Sequence, residues 1–260
     1  MGNLKLGKNA PRRLLSTRSL GDFLDKATTW PQVGPQGWEY APVPIKLDML
    51  ANDTIGDCVI AMAMHYAQNE TANTGSPLTA SADLAIATYA AITGYDPSQT
   101  DSDGNNPTDQ GTDIEGQLMP YWKTTGIPML DANGKEVMHT ILGFAALDLT
   151  SIPQQRYATY VFGGSLLGIR CPASALQDTT NWTYDPSSPI EGGHGINRVG
   201  QGADGGHVNS WGLLIPYTNE FAQKLADEMY IVVTPQWLNA QGESPSGLDL
   251  DGLVSAMKAL

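Results

Sequence analysis

Only two cysteines, Cys58 and Cys171, occur in 260 residues, and charged side chains make up only 16% of the chain. Two thiols cannot form the multi-bridge framework that holds small secreted domains together, and a chain of this size does not need one. No apolar run approaches the roughly 20 residues of a membrane-spanning helix. Basic residues are scarce, 14 Lys and Arg against 27 Asp and Glu for a net charge of −13, which argues against a nucleic-acid-binding body. Internal repeats and low-complexity tracts are also absent. What remains is 41% hydrophobic residues with 28 Gly and 17 Pro, enough for one large domain or two lobes around a shared cleft. The few bases are unevenly placed: Lys5, Lys8, Arg12, Arg13 and Arg18 fall in the first 20 residues with no acid among them. That start lacks the apolar core and small-residue cleavage site of a secretory signal, so no export is expected.

Residues 1–45 read as an arm: basic, with a short apolar piece at 20–24 and then Pro31, Pro35, Pro42 and Pro44. From Gly56 to Gln68 the run is apolar nearly all round, as a helix buried on most faces should be, with Cys58 in its first turn. A second helix is expected over 81–93 with Ser81 as N-cap, and a third over 114–125 before Gly126. After about residue 137 the pattern changes to short apolar runs broken by Gly, Pro and Asn: VMHTILGFAAL, YVFGGSLLGIR, GHGINRVG, HVNSWGLLI and EMYIVVT. These are strand candidates, interrupted by a helix around 219–228. The expected organisation is an arm at 1–45 and a domain at 46–240, with a helical lobe at 46–136 and a sheet lobe at 137–240. A helical tail at 241–260 closes the chain.

A cysteine in the first turn of a helix is set against unpaired N–H groups and the positive end of the dipole, which favour the nucleophilic thiolate. Cys58 is therefore a candidate nucleophile, although cysteine is also a common buried residue and Asp57 beside it opposes ionisation. Downstream, His194 and Asn209 lie 15 residues apart on consecutive strand candidates joined by a Gly-rich turn. Cys58, His194 and Asn209 thus occur in the order and spacing of papain-like proteases, the last two 136 and 151 residues beyond the first.

The sequence resembles the papain-like cysteine peptidases over about residues 52–234. Gly56-Asp57-Cys58 stands where that family has Gly-Ser-Cys, and DQGTDIEGQLMPYWKTTGI looks like its Gly-rich turn and following helix. VFGGSLLGI looks like its first core strand and GGHGI like its histidine strand. Asn209-Ser210-Trp211-Gly212 matches its Asn-Ser-Trp-Gly, the most specific of these matches. The chain is also similar to uncharacterised phage and prophage proteins built around a GDC helix and a GYDP segment, here 94–97. The resemblance implies an α+β fold with the site between a helical and an antiparallel sheet lobe. It implies Cys58 as nucleophile paired with His194, Asn209 orienting the imidazole, and Trp211 shielding that contact. Asn52, six residues before Cys58, stands where the family has a Gln side-chain donor completing the oxyanion hole. Asn52 is shorter than Gln, Val59 replaces an aromatic, and Asp57 adds a charge. No cofactor or metal is implied.

Two functions follow. One is a thiol hydrolase cleaving a peptide or amide bond in a peptide or protein substrate. The other is a catalytically silent papain-fold structural or interaction protein, such as a phage virion component, whose arm docks on a neighbouring subunit. The expected location is cytoplasmic or virion-associated, with neither nucleic acid nor membrane as partner. His207 shares a strand face with Asn209 and is a weaker base than His194 by placement. His65 and Cys171 read as core residues, and His139 sits in a strand candidate with no partner signal. The acidic stretch 96–113 alternates oxygen donors but lacks the Gly and Glu of an EF-hand loop, and reads as a solvated turn.

Overall fold

The computed structural model describes residues 4–12, 14, 17–23, 38–39, 47–202 and 204–238. Most of the 24–45 stretch and the expected helical tail at 241–260 lie outside them. Two short elements come first, α1 (Leu20–Phe23) and β1 (Trp38–Glu39). The central helix α2 (Cys58–Asn73) is buried from Cys58 to Thr71, apolar nearly all round to Ala67 and burying the polar Gln68, Asn69, Glu70 and Thr71 beyond it. Helix α3 (Ala82–Thr93) starts where Ser81 accepts the Leu84 N–H and stops at Gly94, whose φ of 79° lets the chain turn away. The expected third helix is a π-helical turn, Ile114–Leu118, running into α4 (Met119–Thr124).

The remaining strands and helices are β2 (Ile127–Leu130), β3 (Glu136–His139), β4 (Gly143–Ala146), α5 (Ile152–Val161), β5 (Ser165–Pro172) and α6 (Ala173–Gln177). They are followed by β6 (Ile190–Gln201), β7 (Gly205–Ser210), β8 (Leu213–Thr218), α7 (Asn219–Leu225) and β9 (Ala226–Val233). Strands β2 and β3 pair by themselves. The main antiparallel sheet has the order β4-β9-β5-β6-β7-β8, with β1 also on β6.

Four expectations needed correction, the first being VMHTILGFAAL, which is two strands in different sheets, β3 and β4. Helix α5 interrupts the sheet region a second time, capped by Ser151 and begun by Pro153, so that strand β5 opens at Ser165 and not at Tyr160. The expected helix at 219–228 gives way to β9 at Ala226. HVNSWGLLI is two strands, with Ser210 pairing directly with Leu213 across the two-residue loop Trp211-Gly212. Both loop residues have positive φ, 48° and 70°, the conformation a tight hairpin requires.

The sheet is buried on both faces, and alternation divides its side chains. Leu166, Tyr230 and Val232 join α2, Trp122 and Tyr89 in one core. Leu167, Ile169, Ile231 and Val233 join Trp182, Trp211 and Phe221 in another. Helix α2 packs across β6, and this sets the first turn of α2 against the strand that carries His194.

Candidate active site

Cys58 opens α2, and its sulfur accepts the backbone N–H of Gly195 at 3.4 Å. Cys58 and the residue after His194 are therefore in direct contact across the junction of helix and sheet. The loop before Cys58 is held from outside. Asp109 accepts the Gly56 N–H at 3.0 and 3.1 Å and the Tyr89 hydroxyl at 2.7 Å, while that hydroxyl accepts the Gly111 N–H at 2.8 Å. The acidic stretch reads as a turn network rather than a cation loop: Asp96 and Asp101 accept from their own neighbours, and Asp109 clamps the cysteine loop. Sequence reasoning missed Asp109, for its partners lie 20 and 53 residues away.

His194 is buried, its ring stacked on Trp211 at 4.2 Å and 18°. Its Nε2 is 2.6 Å from Ser210 Oγ, and Nδ1 is buried without a hydrogen-bond partner. Asn209 does not reach it: both amide atoms are buried and unpaired, beside the similarly unpaired amide of Asn197, its register partner. Consecutive strand residues point to opposite faces, so Ser210 rather than Asn209 meets the ring. The Asn-Ser-Trp-Gly motif contains Ser210, and strand alternation was the signal for it. Among the described residues, the three non-glycine positions with positive φ, Leu50, Ala51 and Trp211, all flank this site, where they set Asn52 and the stacking indole.

The groove at this junction is filled by the chain's own arm, residues 4–9. Lys5 N–H donates to Asn52 O at 3.1 Å, and Lys5 O accepts from Asn52 Nδ2 and Trp211 Nε1, each at 3.4 Å. Thr112 N–H donates to Gly7 O at 2.7 Å, Lys8 N–H to Gly193 O at 3.1 Å and Asn9 N–H to Thr112 O at 3.0 Å. Gly7 passes so close that an added Cβ would lie 1.8 Å from Gly56 O. The arm thus bonds both to the helical side, through Asn52 and Thr112, and to the sheet side, through Gly193 and Trp211.

With the groove filled, burial governs the titration of Cys58 and His194. Desolvation raises the Cys58 thiol to about 11, against the opposing N–H groups of Gly195 and Gly7, and lowers His194 to about 3. The helix-terminus argument for a thiolate is outweighed here by desolvation. Burial likewise raises the Asp57 carboxyl well above the carboxylate range, only partly offset by the Asn52 side chain. At neutral pH the thiol and the imidazole are both uncharged.

The other candidates are placed as structural. His65 bonds the Asp48 carbonyl at 3.0 Å, and Cys171 is a buried free thiol. His139 has partners after all: Trp122 Nε1 donates to its Nδ1 at 3.1 Å and Nε2 meets Glu70 at 3.0 Å. No group of metal-ligating side chains occurs among the described residues, and no helix among them is long and apolar enough to cross a membrane.

No family model matches the sequence, nor does any curated protein. Solved structures do. Xylellain, a cysteine protease from Xylella fastidiosa, superposes with a TM-score of 0.64 over 90% of this chain and 98% of its own, at 13% identity. A structure concerned with the mite allergens Blo t 1 and Der p 1 gives 0.56 over 84% and 74%, at 14% identity. Procathepsin B S9 from Trypanosoma congolense gives 0.54 over 88% and 86%, at 11%. The fold is that of the papain-like cysteine proteases, as the α+β reading of the sequence required.

Proposed function

We propose that the chain is a papain-type thiol hydrolase of peptide or amide bonds whose cleft is closed by its own residues 4–9. The observation that carries this reading is the placement of Cys58 Sγ at the head of a buried helix, 3.4 Å from the N–H that follows His194. In the open site His194 takes the Cys58 proton, and the sulfur adds to the substrate carbonyl carbon to form a C–S bond. The C–N bond then breaks as the imidazolium protonates the leaving amine. Water, deprotonated by His194, attacks the thioester, releasing the acid and restoring the thiol. The Cys58 N–H and Asn52 Nδ2 are the donors for the oxyanion. Ser210, whose Oγ lies 2.6 Å from Nε2, orients His194 in the role expected of Asn209.

The silent-scaffold reading has its own support: the groove is filled, and His194 bonds Ser210 and not Asn209. The two readings part in a variant that cannot close. Gly7→Val has no room against Gly56 O and displaces the arm. Incubated with a mixed peptide library and followed by mass spectrometry, Gly7→Val cleaves peptides as a hydrolase, and Cys58→Ser or His194→Ala in that background does not. Absence of cleavage in the correctly folded open variant supports the scaffold.

A further inference from the structure

The side chain of Lys8 enters the molecule through the same groove and is fully buried. Its ammonium group spends its three donors on Glu228 Oε1 at 2.8 Å, Asn9 O at 2.9 Å and Asp227 at 3.2 Å. Behind Glu228, the Tyr230 hydroxyl lies 2.9 Å from Glu228 Oε2 and 2.7 Å from Glu115 Oε2. Glu115 has donors of its own in the Leu14 N–H and the Thr17 hydroxyl, but without Lys8 the Glu228 and Asp227 carboxylates would face each other with only the Tyr230 hydroxyl, shared with Glu115, to donate to Glu228, whose ionisation burial already opposes. The pocket is also shaped for a long stem. A Cβ on Gly168 would lie 2.7 Å from Lys8 Cε and 2.6 Å from Glu228 Cγ, so only glycine leaves the passage open. Beyond it, a cavity of about 390 Å³ is lined by Asp148, Asp227, Glu228 and Tyr230.

From this occupied pocket we infer that Glu228, with Asp227 and the bare Gly168, forms a specificity subsite for a lysine or arginine side chain of a bound peptide, and that Lys8 is its internal occupant. The inference rests on reading the cleft as a peptide site, but not on turnover. A buried ammonium is worth keeping only where carboxylates replace its water, and the same carboxylates reject an apolar or acidic side chain.

The test uses full-length protein carrying Gly7→Val, Cys171→Ala and His194→Ala, in which the arm is displaced and hydrolysis is removed. A peptide of residues 4–12, LKLGKNAPR, is titrated against alkylation of Cys58 by iodoacetamide, beside versions with Lys8→Met and Lys8→Arg. The Lys and Arg peptides should protect at concentrations at least tenfold below the Met peptide, and Glu228→Gln in the protein should erase the difference. Equal protection by the Met peptide, or none by any peptide, overturns the subsite. If the open variant fails to fold, the closed chain supplies the answer. Lys8→Glu should raise Cys58 alkylation at least tenfold, and adding Glu228→Lys should restore protection; no change in either overturns it. Lysine-selective protection in a protein that cleaves nothing would sink the hydrolase and leave the subsite standing.

Discussion

Two buried histidines in this fold have opposite surroundings. His139 has both ring nitrogens bound, one to Trp122 and one to Glu70, whose other oxygen receives the Thr234 hydroxyl. His194 has one nitrogen on Ser210, the other unpaired, and a face against Trp211. A fully satisfied ring fixes helix α2 to strand β3 and has nothing left to give. A half-satisfied ring leaves one nitrogen without a partner, at a cost in stability.

Breaking each histidine's environment should therefore give different results. Glu70→Ala removes the partner of both His139 and Thr234 in a site closed to water, and should cost about 3–5 kcal/mol by chemical denaturation. A loss below about 1 kcal/mol would mean that this cluster is not what holds α2 in place. Acid comes next. His194 is lowered to about 3 and His65 to about 4, so the folded chain binds fewer protons than the unfolded chain between those values and 6.5. Their contribution is complete above pH 6.5 and lost as pH falls, by about 2 kcal/mol for each between pH 7 and 5. A melting temperature unchanged over that interval would contradict their burial.

Asp109→Ala frees the Gly56 N–H and the Tyr89 hydroxyl, and should cost roughly 2 kcal/mol while raising Cys58 alkylation as its loop loosens. Ser210→Ala should cost about 1 kcal/mol, for it takes the last hydrogen bond from His194. Asn209→Ala should leave stability within about 1 kcal/mol, since the amide is unpaired in the closed state. In the Gly7→Val background, the variant that lowers peptide cleavage more identifies the residue that orients His194 in the open site.

The parts of the site carried by local chemistry were readable from the sequence. Ser81 announced α3, the apolar run after Gly56 announced a buried helix, and GGHGI announced a strand, which lies against the first turn of that helix through Gly195. Helix α5 was obscured because Tyr160 and Val161 continue its apolar pattern into the run that forms β5. The tight turn at Trp211-Gly212 was hidden inside what looks like one continuous strand, and with it the alternation that brings Ser210 to the histidine. The filled groove had no local signature at all. It depends on pairings between Lys8 and Glu228, 220 residues apart, and between Lys5 and Trp211, 206 apart. The arm was expected to dock on a neighbouring subunit, and its residues 4–9 make these bonds within their own chain.

On the proposed function, Cys58 and His194 form a reactive pair once residues 4–9 leave the groove. This pairing is tested most directly by the pH profile of Cys58 alkylation by iodoacetamide in the Cys171→Ala background. With Gly7 present the thiol should react slowly through neutral pH, as burial holds it near 11. In Gly7→Val the apparent pKa should fall well below about 8.5, and His194→Ala should raise it again. An ordinary thiol in the open variant, indifferent to His194, would contradict the account.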